Sequence, residues 1–303
     1  MKTQNTVLSD INEISCAFLL SQRGWMTLGD DAQKVFNERL DIADVDEARD
    51  AIAKAQNMAN VFKLWAETNG YSDKVVNVWW TARPGSMSEA VGFDVDQKKN
   101  PTDVLVQFES GPCNGFLGLS AKATKGKTDI GFKNPGLGTI DKNLDLNLCE
   151  KYETQICSIV SKMNLPQTAK ERKEHIRANS YIQKQTYDAG IKLLAEFRDS
   201  LYNRMLTMNQ EDLKNYIIDD WMDAKESSVP YVKVTGFGDG TAQVCNPLDN
   251  PKLVAIKTQL ISLHKVGNES IGVQAGDVKV CKGRFKFESE KMASSIKMSM
   301  EPW

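Results

Sequence analysis

Asp103, Ser120 and Lys122 are the residues of this chain whose types and spacing suit phosphoryl or acid–base chemistry, the serine following the aspartate by 17 residues. Asp103 leads an apolar run, Val104-Leu105-Val106-Gln107-Phe108. A turn containing Gly111 and Pro112 separates it from a second run, Phe116-Leu117-Gly118-Leu119-Ser120-Ala121-Lys122. Both runs read as β-strands. Side chains alternate along a strand, so Ser120 and Lys122 share one side, with Leu119, Ala121 and Ala123 on the other. On the first strand Asp103 shares its side with Leu105 and Gln107. An acid, a hydroxyl and an amine therefore gather at one end of a buried hairpin, where a charge left unpaired is costly. A carboxylate in that position can ligate a hard cation, and the ammonium can orient water or stabilise an anion.

The surrounding elements must hold these groups. Residues 8–22 carry Leu8, Ile11, Ile14, Phe18 and Leu19 on one helical stripe, with Thr6 or Ser9 as N-cap. Glu13 lies off that stripe beside Cys16, Ala17 and Leu20, which suits either an enclosed acid or an exposed one favouring the helix dipole. Residues 30–69 read as a helical pair ending at Gly70, and Val75–Ala82 as a strand. After Lys122 a glycine-containing loop carries Lys125, Lys127 and Lys133, residues suited to phosphate contacts. Gly126-Lys127-Thr128 lacks the earlier glycine of a nucleotide-binding P-loop. Residues 145–164 and 168–225 read as helices. Tyr231–Thr235 and Thr241–Cys245 read as a hairpin, followed by strands at Leu253–Lys257, Leu260–Lys265, Ser270–Gln274, Val278–Cys281 and Arg284–Glu288. The stretch 291–300 suits a last helix or a docked strand.

Pro101-Thr102-Asp103 followed by Ser120-Ala121-Lys122 resembles the PD-(D/E)XK nuclease superfamily, in which an Asp opens one core strand and an acid-any-Lys triplet lies on the next. The departure is Ser120, where the family usually carries Glu or Asp. Members with Ser-any-Lys bring the missing carboxylate from a nearby helix. The resemblance implies an α/β (α+β) fold with a restriction-endonuclease-like mixed sheet, helical insertions and a β-rich C-terminal region. The expected divisions are 1–165 for the core, 166–228 for a helical segment and 229–303 for the β-rich region. It also implies a Mg2+- or Mn2+-dependent deoxyribonuclease. Asp103 would be the primary metal ligand, Lys122 the group acting on water or on the transition state, and Ser120 a positioning hydroxyl. Glu13, Glu89 and Glu109 are the candidates, in that order, for the second carboxylate. DNA is the implied partner, with Lys125, Lys127 and Lys133 along it, and a homodimer is one assembly open to the chain. The general shape also resembles nuclease-like proteins of large bacteriophages, which implies the host cytoplasm. The alternative is a non-catalytic nucleic-acid-binding or assembly protein on a degenerate nuclease fold.

Bulk properties exclude other classes. With 303 residues, 41% of them hydrophobic, the chain is long and apolar enough for one large core or two. A net charge of -2 argues against a histone-like binder and leaves room for a local basic groove. Charge is uneven: residues 30–50 hold eight acids against three bases, and 162–192 hold seven bases against three acids, which makes the latter a further candidate groove. No Cys-any-any-Cys pair suggests structural zinc, and reduced thiols in a cytosol-like compartment are expected. His175 and His264 are too isolated for a histidine metal site. No apolar run is long enough to span a bilayer.

Overall fold

The computed structural model describes residues 4–22, 31–97, 100–123, 132–224 and 227–303. The chain forms two compact units, one drawn from 1–131 and 224–250, the other from 132–223 and 251–303. These divisions do not coincide with the expected breaks at 165 and 228. The reason lies in one strand: Tyr231–Gly236 returns to pair with the strand carrying Ser120 and Lys122.

The first unit begins with helices α1 (Gln4–Leu20), α2 (Ala32–Leu40) and α3 (Val45–Thr68). Because α1 begins at Gln4, Thr6 and Ser9 lie within it and neither caps it. The cap of α3 is Asp44, whose carboxylate accepts hydrogen bonds from the backbone N–H groups of Asp46 and Glu47. Along α3, Ala51, Ala55, Met58, Phe62 and Ala66 recur at helical spacing and are buried. The sheet of this unit runs β1 (Val75–Trp80), β2 (Val104–Phe108), β3 (Phe116–Ala123), β4 (Tyr231–Gly236) and β5 (Ala242–Cys245), in that order across its width. All neighbours are antiparallel except β3 and β4, which run parallel. Between β1 and β2 lies the short helix α4 (Ser86–Val91).

The alternation expected for the two central strands is observed. Val104, Val106, Phe108, Leu117 and Leu119 belong to the core shared with Ile14 and Ala17 of α1 and Met58 and Phe62 of α3. Leu105 and Phe116 face the opposite way, into a smaller cluster with Met87, Val95 and Val229. On that second face Gly118 is obligatory, since an added Cβ would lie 2.0 Å from Thr102 Oγ1 and 3.0 Å from Tyr231 Cβ.

The second unit contains α5 (Leu137–Leu144), α6 (Leu148–Lys162), α7 (Ala169–Ala178), α8 (Ser180–Leu206), α9 (Gln210–Tyr216) and α10 (Pro251–Thr258). Its antiparallel sheet is ordered β6 (Ile261–Val266), β7 (Ser270–Ala275), β8 (Val278–Phe287) and β9 (Ile296–Pro302). The expected strand at Leu253–Lys257 is helical, because Pro251 occupies a first-turn position where its missing N–H costs nothing. The two strands expected at 278–281 and 284–288 are one, and 291–300 leads into the docked strand β9. Asn179 closes α7 and caps α8 by accepting from Tyr181 N–H and Ile182 N–H. Leu193, Leu194, Phe197, Leu201 and Met205 form the buried stripe of α8, and the Phe197 ring meets Phe285 of β8 edge-on at 6.2 Å. No described helix is long and apolar enough to cross a membrane. None of the six cysteines forms a disulfide.

Candidate functional site

Asp103 is fixed by its neighbours before any chemistry is considered. Its N–H donates to Leu119 O at 2.9 Å, and its carbonyl accepts from Thr81 N–H at 3.1 Å, which pins the residue between the continuations of β1 and β3. Its side chain then takes over a ladder position: Oδ2 accepts from Ala121 N–H at 2.7 Å and lies 3.5 Å from Ser120 Oγ. A charge-assisted bond to a backbone amide removes most of the rotational freedom of the carboxylate. Ser120 is fully buried. Lys122 is two residues further along the same side of β3 and half-buried.

Glu13 reaches this strand end from α1. One of its oxygens accepts from Trp80 Nε1–H at 3.2 Å. Burial, followed by the charge of Asp103, pushes the Glu13 carboxyl up to about 8; Asp10 adds to the rise, while the Trp80 hydrogen bond and Lys122 oppose it. The charges of Asp103 and Lys122 are therefore both felt at Glu13. Glu13 also lines a cleft of about 410 Å³ bounded by α1, α3 and the end of β3, with Asp46, Asp50 and Lys54 on one wall and Ala121 and Ala123 on another. Lys54 is only 7% exposed and pairs with Asp50 at 2.5 Å.

The other predicted acids lie elsewhere. Glu89 is on α4, exposed, and pairs with Arg83 at 2.5 Å. Glu109 follows the far end of β2 and pairs with Lys74 across the strand ends. Lys133 belongs to the second unit, where its ammonium meets Asp223 at 2.9 Å and Asp219 O at 3.3 Å, so it does not continue a free row with Lys122. Lys125 and Lys127 lie outside the described residues.

A further residue joins the site that sequence reading assigned to a separate region. Lys233 of β4, 1% exposed, stands opposite Ser120 in the parallel register, and Asp103 is placed across from Ser120 on the other side. Asp103, Ser120 and Lys233 thus form a row across three adjacent strand positions. The signal was present in Tyr231-Val232-Lys233-Val234-Thr235, a lysine centred in an apolar strand; its neighbour was not legible, since the pairing spans more than a hundred residues.

Among the described residues no three Asp, Glu, His or Cys side chains gather to hold a metal ion. Asp103 and Glu13 make two carboxylates. Magnesium commonly uses one or two, completing its shell with waters and phosphate oxygens, and this donor set fits that habit without forming a closed cage. The chain matches no family model, and no curated protein or solved structure matches it.

Proposed function

We propose that this chain is a metal-dependent nuclease hydrolysing phosphodiester bonds of DNA, on a restriction-endonuclease-like core. One observation carries the reading: a glutamate from the first helix accepts a hydrogen bond from Trp80, whose partner on β2 is Val104, the residue next to Asp103. The mixed sheet supports it, with Asp103 and Ser-any-Lys on adjacent strands and α1 packed against the intervening Val104, Leu119 and Ala121. Mg2+ or Mn2+ bound there would neutralise phosphate charge and activate a water. Asp103 is the ligand held by the fold. Glu13 supplies the carboxylate that Ser120 lacks, and becomes an anion more readily when a cation replaces the repulsion from Asp103. Lys122 stabilises the negative charge that develops on the phosphoryl oxygens as water attacks and the leaving oxygen departs.

A second reading has an observation of its own. With its carboxyl raised to about 8, Glu13 is mostly a neutral acid at pH 7 without a cation. A binding or assembly protein on the same core would have that property.

The deciding experiment is cleavage of plasmid and single-stranded DNA with Mg2+ or Mn2+. Asp103→Asn and Lys122→Ala should stay folded and lose cutting, and EDTA should stop the wild type. Full activity of Asp103→Asn, or cutting in excess EDTA, overturns the nuclease. Metal binding without cutting selects the second reading.

A further inference from the structure

The sheet of the second unit has one packed face and one open face. Ile271, Val273, Phe285 and Met298 are buried on the first. Register places His264, Gly272, Lys282 and Glu301 side by side across the other, with Arg284 opposite Ser270 and Ser299. The burial alternation of β8 agrees: Lys282, Arg284 and Lys286 are exposed or half-exposed, and Gly283, Phe285 and Phe287 are buried. A register irregularity beside Gln274 brings Lys279 opposite it, on the same open side.

Cations therefore run the length of one strand. Alternate residues of a strand stand about 7 Å apart, a step that successive phosphates of an extended polynucleotide can follow. Lys282 pairs with Glu301 at 3.0 Å, whereas Lys279, Arg284 and Lys286 form no ion pair among the described residues. At one end of the row lies Trp303, half-exposed, with its ring against Gly272. An added Cβ at Gly272 would lie 2.9 Å from ring atoms, so the glycine is what lets the indole lie on the strand. The Lys279 ammonium is 5.0 Å from the ring centroid and the His264 ring 5.6 Å.

We propose that this open face binds single-stranded nucleic acid, with Trp303 as a stacking platform for a base and Lys279, Arg284 and Lys286 as the track for its phosphates. An aromatic ring set on a sheet beside a cationic groove is the combination that single strands recognise, because every unpaired base offers a face to stack. A duplex would gain the charge contacts and not the stacking. The surface concerns binding alone and holds whether or not the Asp103 site cuts.

The test is anisotropy of fluorescein-labelled dT20 with the full chain, in EDTA so that cleavage cannot intervene, across a salt series. Trp303→Ala should weaken binding about five- to a hundred-fold, and Trp303→Phe by far less. Lys279→Gln, Arg284→Gln and Lys286→Gln together should lower the salt slope by about two units, at roughly 0.7 per contact. These three positions are solvent-facing, so that variant decides the matter even where Trp303→Ala melts early. Unchanged affinity and slope in the triple variant overturn the proposal. So does equal binding of a blunt duplex or equally good competition by poly-glutamate, which would make the face a general polyanion surface or an acidic-protein site.

Discussion

Replacing Glu13 by Gln isolates the electrostatics of the proposed site. The amide keeps an oxygen for the Trp80 Nε1–H bond and nearly the same volume, and it removes the titration. The carboxyl rises from 4.5 to about 8 on folding, mainly because of burial and then because of Asp103. A raised acid binds its proton more tightly in the folded state, so wild-type stability is highest below the unfolded value and falls as pH rises through the folded one. At about 1.4 kcal/mol per pH unit, that rise corresponds to roughly 5 kcal/mol lost between about pH 4.5 and 8. Urea unfolding of both proteins from pH 4.5 to 9 measures it. Groups remote from the site titrate alike in the two, so the difference between them belongs to residue 13 and to the neighbours that feel its charge, Asp103 and Cys16. The variant should match the wild type near pH 4.5 and exceed it progressively, by several kcal/mol above pH 8. Mg2+ should stabilise the wild type more than the variant at pH 8, since a cation favours the ionised carboxylate. Parallel stability curves for the two proteins would refute the argument, because they would mean a carboxyl that ionises as freely in the fold as in water.

Asp103→Ala should be less stable than Asp103→Asn by about 1–3 kcal/mol, since only the amide retains an acceptor for Ala121 N–H; chemical denaturation of the pair checks it. Glu89→Gln and Glu109→Gln should leave metal affinity and cutting unchanged and shift stability by at most about 1 kcal/mol, because each breaks only an exposed ion pair. Gly118→Ala should cost about 1–3 kcal/mol in thermal or urea unfolding and reduce cutting, because the methyl group must displace Thr102, next to Asp103. Replacing Lys125 and Lys127 by Gln should lower the salt dependence of DNA binding by up to about one unit per lost phosphate contact, read from affinities at several salt concentrations.

What was legible in the sequence was local. The alternation of Val104 to Phe108 and of Phe116 to Lys122 gave faces as well as strands, because a two-residue period leaves one choice of register per buried side. Glu13 stood out by its neighbours Ala17 and Leu20, which are buried beside it. Lys233 did not, because its place beside Ser120 comes from a parallel pairing that no turn specifies. Leu253-Val254-Ala255-Ile256 misled for the opposite reason: a short apolar run satisfies both periods, and the proline before it decided in favour of the helix. Lys133 looked continuous with Lys122 along the chain, yet the division between units separates them.

The parallel strand β4 also dictates an order of events on the ribosome. When Ala123 has emerged, β3 has β2 on one side and a bare row of amides and carbonyls on the other, and its partner is still unsynthesised. An uncovered strand edge is a template for wrong pairing. The nascent first unit must wait through residues 132–223 of another unit before Tyr231–Gly236 arrives to cover that edge and deliver Lys233 beside Ser120. Chaperone dependence during synthesis should therefore end only once β4 has left the exit tunnel, and the site's buried lysine is among the last of its residues to be installed.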